Sequence, residues 1–117
     1  MNGIDTPSIS TEMMRGLNDM LILSLLAQED SYGYEISQHI TAYSEGVYTI
    51  KETTLYSALG RLEKSGYIVS YEGSKTQGPP RTYFKLTNFG RKYLAEKKRN
   101  GKQPKNWLTP FLLYKGA

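Results

Sequence analysis

Residues 50–68 read IKETTLYSALGRLEKSGYI, and their pattern is the strongest indication of the fold. Its apolar residues recur at i, i+3, i+4 and i+7, which is the spacing of one helical face: Leu55, Ala58, Leu59 and Leu62. Gly66 follows where a glycine commonly ends a helix. The stretch therefore predicts a helix with one face packed against a core.

The opposite face of this helix carries short, hydroxylated or basic side chains. They are Thr53, Ser57, Gly60 and Lys64, with Tyr56 and Arg61 on the two shoulders. A face that only meets water usually carries glutamate and lysine four residues apart. Short hydrogen-bonding side chains and a glycine suit close approach to a nucleic-acid groove, and an ordinary surface helix is the alternative.

Composition narrows the class of function. The chain has 117 residues, one histidine and no cysteine, so a zinc site or a cysteine nucleophile is not expected, and we predict no cofactor. The sequence shows no Ser-His-Asp order, glycine-rich phosphate loop or cluster of metal ligands, so we predict that the protein is not an enzyme. No apolar run is long enough to span a membrane and residues 1–10 lack the features of a signal peptide, so the expected location is the cytoplasm.

The charge is divided unevenly along the chain. Residues 1–50 hold one basic and seven acidic side chains, whereas residues 51–117 hold fourteen basic and four acidic ones. A basic half that begins at the central helix is typical of a surface that binds a polyanion, although several of these lysines could belong to a solvated tail.

A first helix is predicted from about Glu12 to Gln28, with two apolar stripes. One stripe is enough for a monomer core, so the second indicates either a partner helix or burial on all sides. Four residues could line an apolar space between subunits, as an effector site or a dimer interface: Met13, Leu17, Met20 and Tyr93. Packing in the core is the simpler interpretation of the same residues.

The remaining elements follow from local signals. Ser31 is predicted to cap a second helix from Tyr32 to about Ser44. Residues 67–71 and 81–86 have the alternating pattern of two strands, joined by a turn-rich tip. Thr87 is predicted to cap a last helix that ends at Arg99. The fold class is therefore mainly helical with a two-stranded β wing, a winged helix-turn-helix.

Three regions are predicted along the chain. Residues 1–10 form a flexible arm, residues 11–99 the winged helix-turn-helix domain, and residues 100–117 an atypical tail of unknown role. Two prolines prevent a long helix in the tail, which is also unusually apolar around Trp107.

Four blocks of the sequence resemble short members of the PadR family of bacterial transcriptional regulators. The blocks are residues 21–26 (LILSLL), 32–36 (YGYEI), 51–68 (KETTLYSALGRLEKSGYI) and 78–87 (GPPRTYFKLT), the last followed by Gly90. The resemblance implies a homodimer that binds a palindromic operator in double-stranded DNA. It further implies a repressor of its own gene and a neighbouring transporter or detoxification gene, responsive to a small aromatic or hydrophobic effector.

The resemblance also assigns the DNA contacts. Residues of the recognition helix would contact bases or phosphates in the major groove: Thr53, Thr54, Tyr56 and Ser57. Other residues would contact mainly phosphates: Lys51 and Lys64 on the helix, Lys75 and Arg81 on the wing, and Ser31 and Tyr34 at the start of the second helix. Arg61 either joins them or pairs with Glu63 or Glu35.

Two features depart from the family pattern. Gly60 stands where members usually carry lysine or another long side chain, which should cost the helix about 1 kcal/mol relative to alanine. The closing helix breaks at Asn100, whereas in the family it continues for several turns and helps to form the dimer. We therefore expect dimerisation mainly through the first helix, and the pore-lining role of the family's tryptophan is not transferred to Trp107.

A second class of function stays open at this point. A winged helix can also serve as a protein-interaction module, in which the basic face would meet an acidic partner. A steep dependence of DNA affinity on salt would favour DNA as the partner.

Overall fold

A computed structural model describes residues 11–73 and 78–99. The predicted arm at residues 1–10, the wing tip with Lys75, and the tail at residues 100–117 lie outside the described residues. The elements in chain order are α1 (Thr11–Gln28), β1 (Ser31–Tyr32), α2 (Gly33–Tyr43), α3 (Glu52–Lys64), β2 (Ile68–Gly73), β3 (Arg81–Leu86) and α4 (Asn88–Arg99). The predicted order of elements is confirmed, with one additional strand.

Helix α1 is the centre of the core. It contacts α2, α3, α4 and β3, and six of its consecutive or nearly consecutive side chains are buried: Met20, Leu21, Ile22, Leu23, Leu25 and Leu26. Burial on several sides explains the second apolar stripe over this part of the helix. The first turns differ, because Met13 is 59% exposed and Leu17 is only half-buried. A surface for a partner helix is therefore available only near the N-terminal end of α1.

Helix α3 packs as the sequence predicts. Its buried residues are Leu55, Ala58, Leu59 and Leu62. At its end, the Gly66 N–H donates to the Glu63 carbonyl and the Tyr67 N–H donates to the Leu62 carbonyl, each at 3.0 Å. These two bonds form a Schellman motif, which requires Gly66 in the left-handed region, at φ +86°. The motif turns the chain directly from α3 into β2.

The sheet has three strands rather than the predicted two. Strand β3 lies in the centre and pairs antiparallel with β2 on one side and with β1 on the other. In the short pairing, Ser31 lies opposite Phe84 and Tyr32 lies opposite Tyr83. Two residues before a helix are too few to show an alternating pattern, so β1 is not predictable from periodicity.

The same strand corrects the predicted start of α2. Tyr32, not Ser31, is the N-cap residue, and α2 begins at Gly33. The Ser31 side chain is buried, and its hydroxyl donates to Glu35 Oε1 at 2.6 Å instead of capping a backbone N–H. Pairing with β3 places Ser31 inside the sheet, which overrides its preference for a cap position.

The predicted cap of α4 is confirmed. Thr87 Oγ1 accepts the Gly90 N–H at 2.9 Å and donates its own proton to the Gly66 carbonyl at 2.8 Å. A Cβ at Gly90 would overlap with the Tyr67 carbonyl oxygen. Gly90 therefore allows α4 to pack closely on the turn that follows α3. Within the described ranges, no helix is long and apolar enough to cross a membrane.

Candidate nucleic-acid interface

The outward face of α3 is the most distinctive surface of the described residues. Because Leu55 and its neighbours on the same stripe face the core, the opposite side chains are exposed: Thr53, Thr54, Tyr56, Ser57, Gly60 and Lys64. Lys51 is the exposed N-cap residue of the helix. The face that the sequence predicted to point outward does so along the whole of α3.

A groove of about 560 Å³ lies along one side of this face, between α1, the α2–α3 connection and α3. We call it the α1 groove. Three basic side chains line it, namely Arg15, Lys51 and Arg61, together with hydroxyl-bearing residues that include Thr53, Thr54 and Ser57. Basic and hydroxylated side chains are the usual partners of phosphate oxygens and base edges. The groove brings together four of the sequence-predicted contacts.

Two residues that line the α1 groove are joined by a partly buried hydrogen bond. The Tyr48 hydroxyl donates to Asn18 Oδ1 at 2.8 Å, and Asn18 is buried. Burial raises the pKa of Tyr48, so the hydroxyl keeps the proton that it donates. The connection is fixed further by Ser44 Oγ, which accepts the Tyr48 N–H at 2.9 Å. Sequence reasoning missed this pair, because 30 residues separate its members.

Arg61 occupies the wall of the α1 groove and forms an ion pair with Asp19. The distance from Arg61 Nη2 to Asp19 Oδ1 is 2.5 Å, and the Arg61 side chain remains 39% exposed. Burial raises the pKa of the Asp19 carboxyl, and the Arg61 guanidinium opposes this shift without cancelling it. The ion pair connects α3 to α1.

The partners suggested for Arg61 from the sequence were wrong. Glu63 accepts hydrogen bonds from the backbone N–H and the hydroxyl of Ser70, at 3.2 and 2.7 Å, across the turn into β2. Glu35 accepts from Ser31 near the start of α2. Each carboxylate therefore accepts from another donor, and only the tertiary fold places Asp19 beside Arg61.

A second cavity of about 570 Å³ lies on the other side of α3, between the start of α2 and the base of the wing. We call it the α2 cradle, and it is lined by Tyr32, Gly33, Tyr34, Tyr56, Arg81, Thr82 and Phe84. The Arg81 guanidinium carbon lies 4.5 Å from the centre of the Tyr32 ring, in a cation–π arrangement. The cradle therefore brings a basic side chain close to the N-terminal turn of α2.

Gly33 explains how Tyr56 reaches the α2 cradle. A Cβ at Gly33 would overlap with the Tyr56 hydroxyl, so only glycine lets the ring of Tyr56 lie against the start of α2. The N-cap Tyr32 makes no side-chain hydrogen bond to this first turn. First-turn N–H groups without such a cap favour an anion. Tyr34, which is 66% exposed, lies beside them.

The other predicted site residues line neither the α1 groove nor the α2 cradle. Lys64 is exposed at the end of α3, and Ser31 is buried behind the α2 cradle, where its side chain is not available for a phosphate. Met20 is 3% exposed and belongs to the core of one subunit, so it does not line a space between subunits. Tyr93 stacks on Tyr67 with ring centres 4.1 Å apart. Of the four residues proposed for an interface, only Met13 is largely exposed.

A helix–turn–helix whose second helix points outward between a basic groove and a wing defines a winged-helix DNA-binding domain. The model of the PadR-like family of transcriptional regulators matches residues 22–96. The chain belongs to this family. Its members are transcriptional regulators and not enzymes, in agreement with the sequence analysis.

Three similar proteins support this family assignment. A transcriptional regulator from Clostridium thermocellum has 47% sequence identity and a TM-score of 0.70, and the match covers 92% of this chain and 97% of that one. A PadR family transcription regulator from Clostridium difficile R20291 has 37% identity and a TM-score of 0.65, over 83% of this chain and 99% of that one. An uncharacterized protein from Lysinibacillus sphaericus is 36% identical over 104 residues, which are 89% of this chain and 95% of that protein.

Proposed function

We propose that this protein is a sequence-specific repressor that binds a palindromic operator as a homodimer and acts in the cytoplasm. Its targets would be its own gene and a neighbouring transporter or detoxification gene. The observation that carries the proposal is the exposed, hydroxylated face of α3, flanked by the α1 groove and the α2 cradle. A palindrome presents the same half-site twice, which a twofold-symmetric dimer can match.

Base recognition is assigned to the hydroxyl groups at the centre of α3. Thr53, Thr54 and Ser57 are exposed, and each hydroxyl can donate one hydrogen bond and accept others. In the major groove such groups can contact several base edges, and a threonine methyl can contact the methyl of thymine. These residues would therefore supply the preference for one sequence over another.

Phosphate contacts are assigned to both sides of α3. Lys51 lies in the α1 groove and Lys64 at the far end of the helix, so they would bind backbone on opposite sides of the major groove. In the α2 cradle, Arg81, Tyr34 and Tyr56 lie with Gly33 at the start of α2, where a helix N-terminus attracts a phosphate. Ser31 is left out because it is buried.

The dimer and the effector site are assigned to the face of α1 that carries Met13 and Leu17, and to Tyr93 on α4. Met13 is largely exposed, Leu17 is half-buried, and Tyr93 is half-buried under a stack of aromatic rings. A methionine side chain adapts to the shape of its partner, so the exposed Met13 suits a small aromatic or hydrophobic effector. Met20 is excluded from this surface by its burial.

The experiment is fluorescence anisotropy of a labelled duplex from the region upstream of the gene, against a scrambled duplex, over a series of salt concentrations. We expect a preference of about a thousandfold or more for the upstream duplex. Ser57→Ala should reduce this preference, whereas Lys64→Ala should weaken binding to both duplexes and reduce the salt slope by about 1.8, because the homodimer loses one phosphate contact per subunit.

Gln38→Ala provides the matched control, because Gln38 is exposed on α2 and lines neither groove. Its affinity and its salt slope should equal those of the wild type. Equal, weak binding of wild-type protein to both duplexes would contradict the proposal and favour a protein-interaction module.

A further inference from the structure

Arg61 combines a positive charge with partial exposure on α3. Thr54, Ser57 and Arg61 follow one another at helical spacing along the side of α3 that lines the α1 groove. The Arg61 side chain is 39% exposed, so a group that enters the groove can reach it. An arginine at this place would be expected to bind a DNA phosphate.

Asp19 already occupies one guanidinium nitrogen of this arginine. Its Oδ1 lies 2.5 Å from Arg61 Nη2, the Asp19 side chain is 21% exposed, and the neighbouring residue Asn18 lines the α1 groove. A carboxylate and a phosphate compete for the same N–H donors of a guanidinium. A phosphate that binds Arg61 must therefore displace Asp19 or accept a negative charge beside it.

We propose that Asp19 is an affinity-tuning residue that competes with DNA phosphate for Arg61 and so lowers the affinity of the protein for DNA of any sequence. This inference rests on the proposed function, since it concerns the same surface. Phosphate contacts carry no sequence information, so the reduction falls equally on operator and other DNA and leaves the preference between them unchanged.

The test compares Asp19→Asn with wild type in the anisotropy assay, on the operator duplex and on a scrambled duplex. Removing the carboxylate should tighten binding to both duplexes by the same factor, up to about fivefold for each subunit of the dimer, which is what a partly exposed ion pair can withhold. The slope of log affinity against log salt should steepen by about 1.8, the value for one added phosphate contact in each of two subunits.

Glu12→Gln is the matched control, because Glu12 is an exposed carboxylate on the same helix and the substitution changes the net charge by the same amount. It should leave the slope unchanged. In an Arg61→Gln background, Asp19→Asn should no longer tighten binding. Asp19→Ser, a second neutral variant, replaces Asp19→Asn should the latter fail to fold, as judged by circular dichroism.

Three results would overturn the inference. They are an unchanged salt slope in both neutral variants, an equal effect of Glu12→Gln, or a tightening that persists without Arg61. A purely structural role for the ion pair would instead lower the preference for the operator and leave the slope unchanged. If wild-type protein binds no duplex, the proposed function fails as well, whereas failure confined to the Asp19 variants leaves it standing.

Discussion

Replacing Gly60 with alanine should stabilise the folded protein, although Gly60 lies within α3, on the face proposed to contact DNA. Gly60 belongs to α3, and its φ is not among the positive values found at Gly46 and Gly66. A Cβ added at Gly60 would meet no atom within 4 Å among the described residues. Nothing in the surrounding structure therefore opposes the substitution.

The magnitude follows from the helix propensities. Glycine in a helix interior is about 0.8–1.0 kcal/mol less favourable than alanine, mainly because its unfolded chain has more conformational freedom. For a domain of this size, 1 kcal/mol raises the midpoint of thermal unfolding by roughly 4–8 °C. We expect Gly60→Ala to show this rise by circular dichroism at fixed protein concentration, with the same gain in urea unfolding.

Gly16→Ala is the comparison variant. Gly16 is an exposed residue of α1, and a Cβ there also meets no described atom within 4 Å, so it should stabilise the protein by a similar amount. The two variants should differ in DNA binding. Only Gly60 lies on the face assigned to the major groove, so operator affinity should fall in Gly60→Ala and not in Gly16→Ala.

Unchanged or lower stability of Gly60→Ala would refute the reasoning, because it would mean that the alanine side chain meets an obstacle or that α3 is not helical at this position. Equal operator affinity in both glycine variants would contradict the close approach of α3 to the major groove of DNA. The prediction about stability would not be affected.

Three further predictions concern the fold and its interface. Gly90→Ala should destabilise the protein by several kcal/mol in urea unfolding, about as much as other severe core changes, because a Cβ there overlaps with the fixed Tyr67 carbonyl. Gly33→Ala should weaken DNA binding in the anisotropy assay more than it lowers stability, since the overlapping Tyr56 hydroxyl can swing away. Burial raises the pKa of Asp19 above its ordinary 3.8, so the folded state binds this proton more tightly than the unfolded state. The contribution of Asp19 to stability should therefore decline as the pH rises above about 4, and urea unfolding of Asp19→Asn should lack this decline.

Patterns in the sequence predict the four helices and the two hairpin strands, but they predict neither β1 nor the start of α2 at Gly33. The signals are local: a four-residue apolar stripe in α3, a glycine after its last turn, and a threonine before α4. Each acts through bonds or contacts within a few residues, such as the hydrogen bond from the Gly90 N–H to Thr87 Oγ1. The exposed set on α3 followed from the same periodicity, because side chains opposite a buried stripe face solvent.

The packing of separate elements sets which of the predicted site residues stay accessible and which residues they contact. The ion pair between Arg61 and Asp19 joins residues 42 positions apart, and the bond between Tyr48 and Asn18 spans 30. Ser31 has the properties of a helix cap, but pairing with β3 buries it. Met20 has the properties of an interface residue until α1 is enclosed by its neighbours. Periodicity shows that a face is buried or exposed, whereas the partner of each residue depends on how separate elements pack together.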